Sequence, residues 1–541
     1  MPLAESGFPE DFVRTKVRSR ALGDYVSRIA AESIRIRHMD EKVSGLGGGG
    51  GWSGSKGGTF NLDSPGQEIL ERTSCVIRQS STPQSSEKGT IELRFTVSLP
   101  ARGRTILGFE AQKILTTNLP WLIERSLLWA SHDQQALIRH ISSVEDQDHL
   151  RRQLQDRGLV AFVANGSVLP RASGASSLPM TGKSVIRFKS PPDLEIELTT
   201  PNGGLVRGMA LRKGITVLSG GGFHGKSTLL EALELGIYDH IPGDGREAVV
   251  TEPNCVKIRA EDGRSVNGVD ISPFISGLPG GKDTVSFSSE DASGSTSMSA
   301  NIQEALEFGA TSILIDEDSS ATNLLIRDQR MQALIADETI TPLVCKARAL
   351  FNQHGVSTII VIGGCGDYLS IADTVIGMQS YTPRNLTSHA QEVATRYPTN
   401  VIQRPNYGTL PARIPIFPTS ILHSKPPTAR GKSFISFPQQ QIGPRGPEGD
   451  QGIDISSLNQ MVEPGQAKLA AEVLRYIARR QHADGAPRKS MRAWVDEVVS
   501  LISAEGLDAI QGDGREVGDL VLARGLELGA ALSRIRGLQM V

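Results

Sequence analysis

The feature that most constrains the fold is a glycine-rich loop between an apolar run and a helical pattern. Residues 215–218 (Ile-Thr-Val-Leu) predict a buried strand, and residues 229–235 predict a helix. The loop between them fits G-x-x-x-x-G-K-[S/T], which binds phosphate groups when a strand precedes it and a helix follows it. It reads Gly220-Gly221-Gly222-Phe223-His224-Gly225-Lys226-Ser227-Thr228. The sequence therefore predicts an α/β P-loop fold with a nucleoside triphosphate site.

Each residue type in this loop suits a part of that ligand. Glycines let consecutive backbone N–H groups close around an anion, and the helix N-terminus adds unpaired donors. Lys226 is predicted to reach the β- and γ-phosphates of ATP, and Ser227 to hold Mg²⁺. The alternative, a glycine-rich turn that carries Lys-Ser by chance, is disfavoured by the strand and helix on either side. We expect ATP to be held by Gly220, Gly221, Gly222, Gly225, Lys226, Ser227 and Thr228.

A second motif supplies the carboxylates that hydrolysis needs. The apolar run Ser312–Ile315 predicts a buried strand that ends at Asp316-Glu317-Asp318. Ligands of α/β sheets gather at the carboxyl ends of strands. Asp316 is therefore predicted as a Mg²⁺ ligand and Glu317 as the general base, with Lys226 as the other catalytic residue. An acidic surface turn is the plainer alternative.

A serine-rich turn, Ser293-Gly294-Ser295-Thr296-Ser297, precedes a helical pattern between these two motifs. Taken alone it is a good helix N-terminus. ATP-binding-cassette (ABC) ATPases place their signature loop at this point of the chain, where it closes on the γ-phosphate bound by a partner subunit. We therefore expect Ser293, Gly294 and Ser295 to contact ATP across a dimer.

Together these segments resemble the family of predicted ABC-class ATPases that lack transporter domains, to which a kinetoplastid mitochondrial RNA-editing accessory factor belongs. The resemblance is carried by the following segments: 220–230, 240–247, 256–264, 269–275, 292–297, 315–318, 320–323 and 363–368. It implies an ABC-type fold, ATP and Mg²⁺ as cofactors, a nucleotide-sandwich homodimer and, by analogy with the editing factor, binding of single-stranded RNA.

Two departures from the usual ABC pattern leave the mechanism open. No glutamine occurs between Thr228 and Asn301, and Gly363-Gly364 stands where many ABC ATPases have a switch histidine. The nearby His354 is interpreted as a surface loop residue. Two functions therefore compete: an ATP hydrolase, favoured by the intact Asp316-Glu317 pair, and a non-hydrolysing, ATP-gated RNA-binding scaffold. A small-molecule kinase is disfavoured because kinases do not need the serine-rich turn.

Length and charge set the wider frame. A chain of 541 residues is expected to form about two to four domains. We predict an N-terminal region of basic helix and glycine-rich loop at 1–88, an ABC-type core at 89–400, an irregular linker at 401–452 and a helical domain at 453–541. The net charge of −2 excludes a global basic field, so any RNA surface would be local.

The sequence shows no run long and apolar enough for a membrane span, and its four dispersed cysteines favour a reducing compartment. We therefore expect an intracellular protein without membrane contact, in the cytoplasm or, as the basic N-terminus allows, in mitochondria.

Apolar periodicity also predicts secondary structure away from these motifs. Strands are expected at 91–97, 159–163, 185–188 and 194–198, and helices at 111–131, 134–158 and 517–535. Residues 8–39 predict an amphipathic helix whose arginines lie on a solvated face, with a polyanion contact as the alternative. Arg246, Arg259 and Arg264 are interpreted as members of ion-pair networks, with contact to nucleotide or dimer partner as the alternative.

Overall fold

The fold was described from a computed structural model. It covers residues 1–41, 56–79, 89–335, 337–399, 401–423, 428–436, 452–483, 485, 487–512, 514 and 516–541. The glycine-rich loop predicted in the N-terminal region falls mostly outside these residues, at 45–55, and so do parts of the predicted linker, at 424–427 and 437–451.

The N-terminal part packs two long helices and a shorter one over short strands. Its helices are α1 Leu3–Ser6, α2 Lys16–Ile36, α3 Gly108–Lys113, α4 Leu119–Leu127 and α5 Gln134–Asp156. Its strands are β1 Phe60–Asn61, β2 Glu68–Ile69, β3 Cys75–Arg78, β4 Thr90–Leu93, β5 Thr96–Val97, β6 Ala101–Arg102 and β7 Thr105–Ile106. Apolar side chains of α2, α4 and α5 share one core with β3 and β4.

Three arginines of α2 do not lie on the solvated face that the sequence predicts, whereas Arg35 is exposed as predicted. Arg18 is bonded to Glu145 on α5, with Nη2 2.7 Å from the carboxylate, and Arg28 Nε lies 2.6 Å from Asp24. Arg20 contacts the buried Asp239 at 2.5 Å. Their charges are thus used inside the protein to tie α2 to its neighbours, which also leaves these three arginines unavailable to an external polyanion.

The central part alternates strands and helices. Its strands are β8 Leu159–Ala164, β9 Glu195–Thr200, β10 Gly204–Arg212, β11 Ile215–Ser219, β12 Asp239–His240, β13 Val249–Thr251, β14 Cys255–Ile258, β15 Arg264–Val269, β16 Phe287–Ala292, β17 Ser312–Asp316, β18 Ser357–Val361, β19 Thr374–Gln379 and β20 Thr382–Asn385. Its helices are α6 Lys226–Leu235, α7 Gly294–Glu307, α8 Thr322–Leu325, α9 Gln329–Leu334, α10 Leu343–His354 and α11 Thr387–Arg396.

A six-stranded sheet in the order β14-β17-β18-β11-β19-β20 forms the frame of this part. Its first five strands are parallel, and β20 returns antiparallel to β19. Alternate side chains face opposite ways, as strand geometry requires. Ile313 and Ile315 pack with α7 and α10 on one face, whereas Leu314 packs with α6 on the other. A second, antiparallel sheet, β13-β8-β10-β9, lies beyond α6.

The C-terminal part combines helices with small sheets. Its helices are α12 Ser420–His423, α13 Pro464–Gln481, α14 Met491–Glu505 and α15 Gly525–Ser533. Its strands are β21 Pro415–Ile416, β22 Thr428–Arg430, β23 Phe434–Ser436, β24 Gly452–Asp454 and β25 Gln539–Met540. Trp494 is buried in the middle of its core. The predicted helical character of this region is confirmed.

Three local predictions are wrong in detail. Residues 185–188 form no strand, because Phe188 exchanges its two backbone hydrogen bonds with Gly166 and Ser167 in a loop. The predicted strand 91–97 is divided into β4 and β5, which pair with β3 and β1. The predicted helix 517–535 shortens to α15, since Val521 and Leu522 donate their backbone N–H groups to Gly465 and Glu71 instead.

The predicted helix at 111–131 is interrupted by a π-helical turn at Ile114–Asn118, just before Pro120. Proline lacks the N–H that a continuous α-helix would need at that point.

Candidate functional site

The phosphate loop follows β11, as the sequence predicts, and α6 begins within its last three residues, at Lys226 rather than at the predicted residue 229. Gly220 (φ 142°) and Gly225 (φ 93°) have backbone conformations that favour glycine. A Cβ at Gly220 would lie 2.4 Å from the carbonyl oxygen of Met378, and one at Gly225 would lie 2.6 Å from the Tyr381 ring. At these two positions the neighbouring hairpin leaves room for hydrogen only.

The rest of the loop faces outward. Gly221, Gly222 and Ser227 are exposed, and the Phe223 side chain is fully exposed with φ 60°. Lys226 Nζ donates to the carbonyl oxygens of Gly220 (2.7 Å) and Gly221 (2.8 Å), which places its ammonium group at the mouth of the loop. The loop thus presents glycine backbone, a hydroxyl and a cation on one surface.

The turn between β19 and β20 braces the loop from the side. Ser380 N–H donates to His224 Nδ1 at 2.8 Å, and Tyr381 N–H donates to the His224 carbonyl oxygen at 3.0 Å. Both turn residues have positive φ, 46° and 63°. Two-residue hairpin turns need such angles, which Asn and Gly usually supply. Nothing in the Ser-Tyr pair signals this turn in the sequence.

The acidic motif lies at the same edge of the sheet. Asp316, the last residue of β17, is only 8% exposed, and its carboxylate accepts the N–H of Asp318 at 3.2 Å. Since β17, β18 and β11 are consecutive parallel neighbours, their carboxyl ends lie side by side. The structure therefore brings Lys226 and Ser227 to the same sheet edge as Asp316 and Glu317.

Glu317 is held by the loop that follows β18. Its Oε2 accepts the N–H of Gly363 at 2.6 Å and the N–H of Gly364 at 3.1 Å. These are the two glycines at the position of the switch histidine in many ABC ATPases. Their backbone amides occupy the place next to the carboxylate, a role that sequence reasoning missed because backbone N–H groups leave no mark in residue type. His354 ends α10 and contacts the carbonyl oxygen of Gly408 at 3.0 Å instead.

The serine-rich turn packs against other groups than the phosphate loop does. Ser293 precedes α7, and its Oγ is 3.1 Å from Thr296 Oγ1. A Cβ at Gly294 would meet Asp262, Ala260 and Ala321, all on the β14 and β17 side of the sheet. Within one chain, the groups packed against this turn are thus not those of the phosphate loop, and its N-terminal residues remain partly exposed.

The opposite end of α7 is anchored in a buried charge network. Glu307 receives Arg413 Nε at 2.8 Å and the Arg413 backbone N–H at 2.9 Å. Arg413 also donates to Ser533 Oγ on α15 at 2.8 Å. Further along α7, Glu304 pairs with Arg264, and Asn301 accepts from Arg534 at 3.1 Å. The helix that carries the serine-rich turn is thereby joined to the C-terminal part.

Two of the three arginines singled out in the sequence are buried ion-pair members. Burial, reinforced by Arg171, lowers the pKa of Arg246 to about 10, and its guanidinium donates to the Leu169 carbonyl oxygen at 3.0 Å. Burial also lowers the pKa of Arg264, which is paired with Glu304. Arg259 Nη1 lies 3.3 Å from Asn459. For Arg246 and Arg264 the ion-pair interpretation fits, and no surface is left for a nucleotide contact.

Three family models match the chain in succession. An N-terminal model described as "ATPase of the ABC class N-terminal" matches residues 1–130. The P-loop domain of the ABC ATPase family matches residues 133–413, just over half of the chain. A model described as "MRB1590 C-terminal domain" matches residues 448–541. Within the described residues, no helix has the length and apolarity that crossing a membrane requires.

One relative and two solved structures are similar to parts of this chain. An uncharacterized protein of Methanocaldococcus jannaschii, MJ1628, is 32% identical over 271 residues, which are 48% of this chain and 60% of the relative. Two crystal structures of MJ1267, an ATP-binding cassette of an ABC transporter, align over 44% of this chain at 10% and 11% identity. They cover 96% and 95% of that protein, with TM-scores of 0.27 and 0.24. The chain belongs to the ABC-class P-loop ATPase family.

Proposed function

We propose that this protein binds ATP and hydrolyses it, with Glu317 as the general base. The observation that carries the proposal is the position of Glu317, whose carboxylate lies against the Gly363-Gly364 amides. That loop follows β18, the strand next to the one that leads into the phosphate loop. From there the carboxylate can orient a water molecule toward a γ-phosphate, while Lys226 offsets charge on the β- and γ-phosphates.

The residues present fit ATP and Mg²⁺. Gly220 and Gly225 form a cradle that a Cβ would fill, and Lys226 offers an ammonium group bonded only to loop carbonyls. Ser227, an exposed hydroxyl, and Asp316, a nearly buried carboxylate, are the hard oxygen ligands that would hold Mg²⁺. When bound, Mg²⁺ supplies positive charge to the phosphate oxygens during transfer. Thr228, on the first turn of α6, would add a contact to phosphate.

The proposed active unit is a homodimer with two nucleotides between the chains. Ser293 is exposed and Gly294 and Ser295 are half-buried at the start of α7, where Gly294 packs beside Asp262 and Ala321 rather than the phosphate loop. A second chain would be needed to bring such a turn to the γ-phosphate. The helix N-terminus and the serine hydroxyls supply donors suited to that anion.

Single-stranded RNA is the proposed polymer ligand, on the resemblance to the editing factor, and the site of action is inside the cell, in the cytoplasm or in mitochondria. The division at residues 88, 400 and 452 remains part of the proposal. A specific observation favours the second candidate, a non-hydrolysing ATP-gated scaffold: Glu317 is already engaged by two amides, so it has fewer lone pairs free for water.

Steady-state release of phosphate from ATP, with and without single-stranded RNA, tests both candidates. The wild-type protein should turn over ATP and Lys226→Ala should not. Glu317→Gln should lose about a hundredfold in turnover while it accumulates an ATP-bound dimer, visible by light scattering. Turnover no higher than that of Lys226→Ala, with ATP still bound, would instead support the scaffold. RNA that neither binds nor changes turnover would remove the polymer from the proposal.

A further inference from the structure

The order of strands in the main sheet determines which end of a bound nucleotide would lie near which strands. Asp316 and Glu317, which face Mg²⁺ and the γ-phosphate in the proposed function, follow β17, on one side of β11. Between β17 and β11 lies β18, which is followed by the glycine loop that contacts Glu317. The terminal phosphates therefore point toward β17 and β18. The nucleoside must then leave the phosphate loop on the opposite side of β11, where β19 and β20 lie.

Tyr381 stands on that opposite side. It lies in the two-residue turn between β19 and β20, and its ring packs onto Gly225, the glycine directly before Lys226. The ring is not a core element, since the residue is 42% exposed. Two hydrogen bonds to His224, one from the Ser380 N–H and one from the Tyr381 N–H, fix the turn to the phosphate loop. The Tyr381 ring therefore keeps a fixed position relative to the loop.

The backbone at this point is strained. Ser380 and Tyr381 both have positive φ, which costs side chains with a Cβ free energy that a glycine would not lose. A turn with Gly or Asn would form more easily. Such strain is found mainly at sites where a side chain must be presented in one place.

The strands that lead into the loop offer no alternative platform. From Lys189 to Gly222 the sequence contains no Phe, Tyr, Trp or His. Phe223 is aromatic, but its side chain is fully exposed, whereas the Tyr381 ring packs onto Gly225. Aromatic rings bind nucleobases by stacking, because every base offers a π-face.

We propose that Tyr381 is the platform on which the base of the bound nucleoside triphosphate stacks. This rests on the proposed function, since it assumes that the loop binds a nucleoside triphosphate. The ring supplies affinity for any planar base through its face and little discrimination between bases. The phosphate groups contribute the remaining affinity through the loop itself.

Competition between ATP and inorganic tripolyphosphate for the Mg²⁺-loaded protein tests this role. Tyr381→Leu keeps an apolar side chain over Gly225 but removes the aromatic face. It should weaken ATP binding about tenfold and leave tripolyphosphate binding unchanged, and Tyr381→Phe should restore ATP affinity. Phe223→Leu, the matched aromatic-to-aliphatic change in the same loop, should leave the affinity ratio of the two ligands at the wild-type value.

Several results would overturn the assignment. If Tyr381→Leu weakens both ligands equally, the ring merely supports the loop. If Phe223→Leu alone lowers the preference for ATP, the platform is Phe223. If wild-type protein binds tripolyphosphate as tightly as ATP, no base contact exists, although the phosphate site stands. Wild-type protein that binds neither ligand would refute the proposed function itself.

Discussion

The phosphate loop and the far end of α7 differ in how their cations are paired. Among the described residues, Lys226 donates only to neutral carbonyl oxygens, and the loop around it is exposed. At the far end of α7, Arg413 is buried and meets Glu304 and Glu307 together with two neutral acceptors. A cation without an anionic partner is available to a ligand, whereas a buried and fully paired one holds the fold together. The comparison separates residues of similar chemistry into binding and structural roles.

The largest effect should come from breaking the paired region. Arg413→Met leaves Glu307 without its partner in a buried environment and Glu304 with Arg264 alone, which should lower the free energy of unfolding by about 3–5 kcal/mol. Urea unfolding followed by tryptophan fluorescence measures it, since Trp494 is buried in the adjoining core. Arg536→Met is the matched control, because that exposed arginine pairs with Glu290 at 3.8 Å and should matter little. Equal losses in the two variants would refute the structural role of Arg413.

The reverse pattern is expected at the loop. Lys226→Ala should weaken ATP binding by at least about a hundredfold, since it removes a charge-assisted contact to phosphate. Its unfolding midpoint should remain near the wild-type value, because no buried anion loses a partner. Isothermal titration with ATP and Mg²⁺ provides the affinity. If Lys226→Ala lowers the unfolding midpoint clearly but leaves the ATP affinity unchanged, Lys226 has a structural role and not the binding role expected here.

A smaller effect sharpens the role of the glycine pair. Gly363→Pro removes the N–H that contacts Glu317, whereas Gly363→Ala keeps it and brings a Cβ no closer than 3.6 Å to the carboxylate. We expect the proline variant to lose about tenfold in turnover with unchanged ATP affinity, and the alanine variant to match wild type. Similar losses in both variants would assign Gly363 a purely conformational role.

The smallest effect concerns an imperfectly paired carboxylate in the structural region. Burial raises the pKa of Asp63 to about 6, although Arg72 opposes this at 3.2 Å. The folded state then binds more protons than the unfolded state between about pH 4 and pH 6, so stability falls as pH rises through that window. Asp63→Asn should remove this pH dependence, which amounts to a change on the order of 1 kcal/mol in the free energy of unfolding across the window.

Asp508→Asn is the control for that measurement. Although burial raises it, Arg94 and Arg78 lower the pKa of Asp508 overall, so this carboxylate is ionised in both states above about pH 5. Its stability difference from wild type should be constant between pH 5 and pH 7. Guanidinium unfolding at several pH values measures both variants, and a flat profile for Asp63→Asn minus wild type would contradict the expectation.

The sequence predicted those parts of the fold that depend on residues close together in the chain. The strand–loop–helix around Lys226 and the strand before Asp316 are confirmed, because apolar periodicity and glycine spacing act over a few residues. The brace by Ser380 and Tyr381 could not be predicted, since it joins segments distant in the chain through backbone groups. The helix expected at 517–535 failed for a related reason, because tertiary hydrogen bonds to Glu71 and Gly465 replaced helical ones. Sequence patterns do not show which distant groups will accept hydrogen bonds from the backbone N–H groups.

The position of β11 in the sheet also sets an order in time. This strand pairs with β18 and β19, both encoded far downstream, so the emerging chain has the phosphate loop long before it has the loop's neighbours. The ribosome must add roughly 160 more residues first, which takes about 8 to 32 seconds at usual rates. During that interval the segment can neither complete its ladder nor receive the brace on His224. The phosphate loop therefore acquires its final neighbours only after β18 and β19 have been synthesised.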